Sequence, residues 1–299
     1  MTRATRPRVI AVVGPTAAGK SAAALDIAEA LGGEVVNADS MQLYRGMDVG
    51  TAKLTVAERR GVPHHLLDVW DVRETASVAA YQALAREVID ALDVAVVAGG
   101  SGLYVRGALD AFEFPGTDPA VRERLEADLA EHGAATMHER LKDADPVAAQ
   151  AILPTNGRRI VRALEVIELT GRPFSDQPGM TTYVSVYDTR YVGIAPELAT
   201  LDGRIDRRVD VMWERGLVAE VETLEAQGLR EGVTASRALG YQQVLAYLAG
   251  ATTEEAAKQE TKLATRRFAR RQLKWFRRDP RIAWYATPAQ AVSAALDTH

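Results

Sequence analysis

The sequence predicts an α/β fold: a parallel sheet core interrupted by a mainly helical insertion. Three observations carry this. Short β-branched runs alternate with helical patterns over the first third of the chain. The first turn between them is glycine-rich and ends in Gly-Lys-Ser. After Gly116 the strand signals stop until Asp188.

The apolar run Arg8 to Val13 ends at Gly14 and reads as a strand buried on both faces. From Lys20 to Leu31 the Ala, Leu and Ile residues have helical spacing, closed by Gly32-Gly33. Glu34 to Ala38 is a second strand, and Leu66 to Val69 a third, shorter one. A helix capped by Ser77 runs to about Leu92, and the strand Val94 to Ala98 breaks at Gly99-Gly100-Ser101-Gly102. This alternation describes βαβ units and a sheet covered on both sides. Asp118-Pro119 reads as the N-cap and first position of a helix. Helical patterns continue to Thr170, end at Gly171-Arg172-Pro173, and give way to a polar stretch up to Tyr187. Tyr191 to Ala195 is again a strand. The chain is helical after Glu197, with one long helix over Glu254 to Arg278, a last strand at Arg281 to Tyr285 and a short C-terminal helix. The resulting division is a core of residues 1–116 and 189–299 with a helical insertion domain of residues 117–188.

The 299 residues are 47% hydrophobic and 25% charged, as in an ordinary globular protein. There is no cysteine, which excludes disulfides, a thiolate nucleophile and cysteine-ligated zinc or iron–sulfur sites. No apolar run approaches the ~18 residues of a membrane helix. The basic N-terminus lacks the apolar stretch and cleavage site of a secretory signal, so a cytoplasmic protein is expected. With a net charge of −4, a polyanionic partner must be held by a local patch. His64, His65, His132 and His138 fit no helical zinc spacing and read as ordinary polar residues.

Gly14-Pro15-Thr16-Ala17-Ala18-Gly19-Lys20-Ser21 matches G-x-x-x-x-G-K-[ST], set between a strand and a helix as a P-loop requires. Its backbone N–H groups converge on phosphate oxygens, and the helix dipole aims there too. Lys20 adds a full charge, and Ser21 is the usual oxygen for Mg²⁺. The core is therefore read as P-loop NTPase-like. The dinucleotide pattern G-x-G-x-x-G is absent. A phosphate cradle accepts a nucleoside triphosphate or another diphosphate. The acid follows the second strand, at Asp39, while the most apolar later strand ends in Gly-Gly-Ser-Gly. Ligand sites lie at the carboxyl ends of such strands, so Asp39 and Ser101 are expected to face the cradle. Asp39 suits a proton acceptor beside a phosphorylated substrate; a helix N-cap or a water-mediated metal partner suits it equally. Ser101 reads equally as an N-cap.

Arg266 to Arg278 holds seven basic residues and no acid. Arg266, Arg270, Lys274 and Arg277 form one helical stripe and Arg267, Arg271 and Arg278 another, while Leu273 and Phe276 face the core. This is the pattern of a phosphate-tracking surface with apolar backing.

Several segments together resemble the tRNA dimethylallyltransferase (tRNA isopentenyltransferase) family. They are Gly14 to Ser21, the run Asn37-Ala38-Asp39-Ser40-Met41-Gln42-Leu43-Tyr44-Arg45-Gly46-Met47-Asp48-Val49-Gly50-Thr51-Ala52-Lys53, Pro63 to Asp68, Gly99 to Tyr104, Arg159, Arg162 to Val166, Leu239 to Gln242 and the basic helix. They span nearly the whole chain in the family's order. The resemblance implies transfer of a dimethylallyl group from dimethylallyl diphosphate to the exocyclic N6 of the adenosine 3′ of the anticodon (adenosine-37), with pyrophosphate leaving and Mg²⁺ as cofactor. It assigns Asp39 as the base, with Ser101 and Lys20 as catalytic partners, and Gly14 to Ser21 as the diphosphate cradle. Arg204 and Arg208, four apart on one helical face, match family arginines that would clamp the diphosphate. For tRNA it implicates Asp39, Ser40, Met41, Gln42 and Ser101; Arg122, Arg158, Arg159 and Arg162 of the insertion; Arg237, Gly240, Tyr241 and Gln242; and Arg270, Arg271, Lys274, Trp275 and Arg277. Ser101 stands where threonine is commoner, and Arg158 where many members have glutamine, exchanging a base-edge contact for a phosphate contact. The adenine must leave its stack to reach Asp39. A monomer is expected.

Three other classes set bounds. An adenylate isopentenyltransferase uses the same chemistry on a free nucleotide and needs neither insertion nor basic helix. A P-loop kinase needs ATP and leaves the Asp39 to Lys53 run unexplained. An RNA-binding protein with a degenerate nucleotide site does not need Lys20-Ser21 intact.

Overall fold

The computed structural model describes residues 6–176 and 182–297; residues 1–5 of the basic N-terminus and part of the polar stretch after Pro173 lie outside the described residues. In chain order the elements are β1 (Arg8–Val13), α1 (Lys20–Leu31), β2 (Glu34–Asn37), β3 (His64–His65), α2 (Val78–Ala91), β4 (Val94–Gly99) and α3 (Gly102–Leu109). Three helices follow, α4 (Pro119–Ala144), α5 (Pro146–Ala151) and α6 (Gly157–Thr170). The chain then forms β5 (Thr189–Ile194), α7 (Leu198–Glu214), α8 (Leu217–Ala226), α9 (Tyr241–Leu248), α10 (Glu254–Phe276), β6 (Ala283–Tyr285) and α11 (Pro288–Leu296). Two compact units result, one of Met1–Leu109 with Ser185–His299, the other of Asp110–Val184.

The first unit is built on a six-stranded sheet of order β3-β2-β4-β1-β5-β6, every pairing parallel. β1 lies inside it, paired to β4 and β5. Side chains alternate between its faces. Ile10 and Val12 pack with Ala24 and Ile27 of α1 and Ala291 of α11. Val9, Ala11 and Val13 pack with Tyr81, Ala85 and Ile89 of α2 and Leu109 of α3. Both faces being covered, β1 and β4 read as unbroken apolar runs. The register sets Val13 beside Gly99 and Asn37 beside Ala98, so the loops after β1, β2 and β4 emerge side by side.

One strand differs from expectation. The third strand is His64–His65, pairing with Val35 and Val36, not Leu66 to Val69. Leu66 and Asp68 have φ of 60° and 59°, a left-handed conformation that an extended strand does not hold. Leu66 and Val69 are apolar because they pack on the core from an irregular loop.

Capping follows the sequence closely. The Ser77 hydroxyl accepts the Ala80 N–H at α2, and Asp118 accepts from Ala120 and Val121 at α4. In the second unit α4 bends at Gly133 (φ 78°), which lets Leu125 and Leu141, on either side of the bend, share a core with Ile160 and Leu164 of α6. In α10, Leu273 and Phe276 are buried, as the apolar stripe required.

Candidate active site

The turn after β1 is shaped for an anion. Gly14 has φ 145°, and a Cβ there would collide with the Ile194 carbonyl; Ala17 is held at φ 61°, a strained setting for a residue with a side chain. No side chain caps α1, whose N-cap is Gly19. Among the described residues the N–H groups of Ala17, Gly19, Lys20 and Ser21 have no backbone partner. Four unpaired donors at a helix N-terminus are the arrangement that suits a phosphate. The Lys20 Nζ donates to the Pro15 carbonyl at 2.7 Å. Its pKa is lowered from 10.5 to about 8, first by burial; the charge of Asp39 acts against this and that of Arg208 with it.

Asp39 follows β2 in a turn of its own making. Its N–H donates to Asn37 Oδ1 at 2.9 Å, and its Oδ1 accepts the Met41 N–H at 3.0 Å. The carboxylate thus closes a local turn and caps no helix, and one oxygen takes up the turn while the other makes no hydrogen bond among the described residues. The Ser101 Oγ lies 3.2 Å from both the N–H and the Oγ of Ser40. Ser101 heads α3 through its carbonyl, which accepts from Tyr104 and Val105, while its hydroxyl is turned to the loop after β2.

Asp39, Ser40, Met41 and Ser101 line one wall of a cavity of about 240 Å³. Thr16 of the turn after β1 lines it too, as do Arg208, Arg237 and Tyr241. Ile205, Val209 and Met212 of α7, Leu239, and Phe268 of α10 supply apolar wall. Arg208 donates to the Thr51 carbonyl at 3.1 Å, and its Nε is buried without a partner. Burial lowers its pKa, opposed by the charge of Asp39. A buried guanidinium with a donor to spare is a fit for an anionic ligand. Ser21, in the first turn of α1, is exposed. Among the described residues no three or more His, Cys, Asp or Glu are grouped so that they could hold a metal ion. A single hydroxyl at that turn fits Mg²⁺ only as a cation that keeps most of its waters.

Residues 42–279 match the model of the IPP transferase family. The chain is 65% identical to a tRNA dimethylallyltransferase of Streptomyces griseus, over 94% of this chain and 91% of that protein. The chain belongs to the tRNA dimethylallyltransferase family. Among solved structures it resembles a tRNA isopentenylpyrophosphate transferase from Bacillus halodurans, 39% identical, with TM-score 0.70 over 96% of this chain and 94% of that one. It also resembles a eukaryotic dimethylallyltransferase acting on tRNA, 25% identical, with TM-score 0.80 over 95% of this chain and 75% of that one. The family is one of transferases.

Against this family background the other expected residues fall into distinct settings. Arg204 is exposed and outside the cavity wall, one turn from Arg208. Gln42 donates to the Thr51 carbonyl at 3.1 Å. Gly240 begins α9 by donating to Gln243, and Gln242 is exposed. In the second unit Arg158 and Arg159 are exposed in the first turn of α6. Arg122 and Arg162 both bind the fully buried carboxylate of Glu165, and Arg162 also donates to the Pro115 carbonyl at 2.6 Å. On α10, Arg266 pairs with Asp206 and Arg270 with Asp202, so part of the basic stripe is neutralised by α7. Arg271, Lys274, Arg277 and Arg278 are exposed and make no ion pair among the described residues. Trp275 packs its ring against Gly102, leaving no room there for a Cβ.

Two residues escaped the sequence reading. Gln272 is 6% exposed; its Oε1 accepts the Thr16 N–H and its Nε2 donates to the Gly100 carbonyl, each at 2.9 Å. A polar residue between Ala269 and Phe276, on the buried face of a helix, was the available signal. Glu220 in α8 gave none, because a glutamate on a surface helix is unremarked in sequence.

Proposed function

We propose that the protein transfers the dimethylallyl group of dimethylallyl diphosphate to the exocyclic N6 of the adenosine 3′ of the anticodon in tRNA. The observation that carries this is that Asp39, Arg208 and the apolar side chains Ile205, Val209, Met212 and Phe268 line one cavity. An anionic leaving group, an apolar five-carbon chain and a nitrogen nucleophile need those three kinds of surface in one cavity.

The cradle N–H groups, Lys20 and Arg208 hold the diphosphate. As the allylic C–O bond breaks, its electron pair leaves with pyrophosphate, and these donors stabilise the growing charge. The adenine amine forms the new C–N bond and gives one proton to Asp39; a positioned base of this kind contributes ~10²–10⁴-fold. Ser101 orients the amine or a diphosphate oxygen by its hydroxyl. Ser21 would hold Mg²⁺, which supplies further charge neutralisation at the diphosphate when bound. Met212 and Phe268 keep water from the allylic carbon.

For the tRNA, Arg271, Lys274 and Arg277 of α10, free of ion pairs, bind backbone phosphate, as do Arg237, just before α9, and Gln242, in its first turn. Arg158 and Arg159 bring the helical insertion to the anticodon stem. A monomer is proposed, and a tRNA substrate suits an enzyme of the cytoplasm.

The test is transfer of label from dimethylallyl diphosphate to unmodified tRNA with Mg²⁺ and without ATP, with mass analysis of the nucleoside. N6-isopentenyladenosine is expected. Transfer to free adenosine monophosphate alone would replace this reading with the adenylate enzyme, and an ATP requirement with a kinase.

A further inference from the structure

The run Met47 to Lys53 carries no role in the proposed chemistry, yet it is heavily bonded. Three consecutive backbone N–H groups, of Asp48, Val49 and Gly50, donate to the carboxylate of Glu220 at 3.1, 2.7 and 3.1 Å. The Tyr241 hydroxyl donates to the same carboxylate at 2.5 Å. Successive N–H groups converging on one anion form a nest, here filled by a side chain of α8. The next residue is Thr51, whose carbonyl accepts from both Arg208 and Gln42, each at 3.1 Å. Lys53 closes the far end, bound to Asp48 and Asp68 at 2.6 Å each. A Cβ on Gly50 would enter the Tyr241 ring.

We propose that Glu220 is a positioning residue for the transfer reaction: by filling the backbone nest at Asp48–Gly50 it fixes the Thr51 carbonyl that aims Arg208 into the cavity. The proposal rests on the reading that the cavity takes a diphosphate. Arg208 is otherwise short of partners, since its Nε is buried and unpaired, so this carbonyl is its principal restraint. Loss of the Glu220 charge leaves three backbone donors facing an amide whose own N–H₂ repels at least one of them. The Thr51 carbonyl then wanders, and Arg208 with it.

The experiment uses the full-length chain with Glu220→Gln, Glu220→Asp and Arg208→Ala, alone and combined. It reads kcat/KM for the donor, pyrophosphate affinity by calorimetry, tRNA affinity by filter binding, and Tm. Glu220→Gln is expected to lower donor kcat/KM and pyrophosphate affinity about tenfold, with tRNA affinity changed less than twofold. In the Arg208→Ala background the same change should cost less than threefold, because coupled residues are not additive. Glu220→Asp keeps the charge but is one methylene short, so an intermediate loss is expected even if the glutamine variant does not fold. Equal tenfold losses in both backgrounds, or parallel loss of pyrophosphate and tRNA binding, would overturn the proposal. Wild-type protein that binds no pyrophosphate would instead overturn the diphosphate reading beneath it.

Discussion

The Gln272 carboxamide oxygen accepts the Thr16 N–H at 2.9 Å, while its nitrogen donates to the Gly100 carbonyl at the same distance. One side chain of α10 thus ties the phosphate cradle to the loop after β4. The two loops belong to neighbouring strands, and the helix that joins them also carries the exposed cations. Gln272→Leu leaves the buried Gly100 carbonyl unpaired, at ~1–3 kcal/mol, and frees the half-buried Thr16 N–H. The variant should melt lower, and its donor KM should rise several-fold more than its tRNA dissociation constant. Steady-state kinetics with a melting curve check this.

Asp39→Asn should lower kcat by ~10²–10⁴-fold, the usual worth of a positioned base. Asparagine retains the oxygen that accepts the Met41 N–H, so the local turn should survive. Tm and tRNA affinity are therefore expected to stay near wild type, and single-turnover rates with filter binding separate the two effects.

Lys20 gives a pH signature. In the free protein its pKa is about 8 against an ordinary 10.5. A bound diphosphate favours the charged amine, so above pH 8 binding takes up a proton and weakens by up to about tenfold per pH unit. Calorimetry in buffers of different ionisation heat measures the uptake. Unfolded chains hold this proton up to pH 10.5 while the fold releases it near 8. The residue's contribution to stability of the unliganded protein therefore grows from pH 8 towards 10.5, opposite in sign to its effect on binding.

Arg158 and Arg159 stand at a helix N-terminus, where the macrodipole disfavours cations by ~0.3–1 kcal/mol each. Replacing both with alanine should raise thermal stability slightly and weaken tRNA binding. The salt dependence of binding should become shallower by about 0.7–0.9 for each phosphate no longer neutralised. A titration at several salt concentrations tests both.

The basic helix should divide in two. Lys274→Ala and Arg277→Ala should reduce the salt slope with little change in Tm. Arg266→Ala and Arg270→Ala remove partners of Asp206 and Asp202, so they should alter stability more than the slope. Half-exposed pairs of this kind contribute up to ~1 kcal/mol.

Much of the fold could be read in advance because burial on both faces leaves uninterrupted apolar runs, as in β1 and β4, and because Ser77 and Asp118 are strong caps. Leu66 to Val69 misled for the same reason, since an apolar loop packed on the core has the composition of a short strand. Asp39 and Ser101 were expected to face the cradle because each follows the carboxyl end of a parallel strand, and the structure sets them with Thr16 around one cavity. The settings of Arg122 and Arg162 were not legible, since pairing to a buried Glu165 depends on helix packing that no local pattern encodes. Glu220 and Gln272 act on backbone groups far away in sequence, and backbone groups leave no trace in residue identity.

Thr16 and Gln272 are 256 residues apart, and Val49 and Glu220 are 171 apart. A nascent chain that has emerged from the ribosome only through β4 already displays the entire Gly14 to Ser21 motif, yet neither of the braces that shape its surroundings. Such long-range closures are slow to form. The growing polypeptide therefore spends most of its synthesis with the motif in place and its surroundings unfinished.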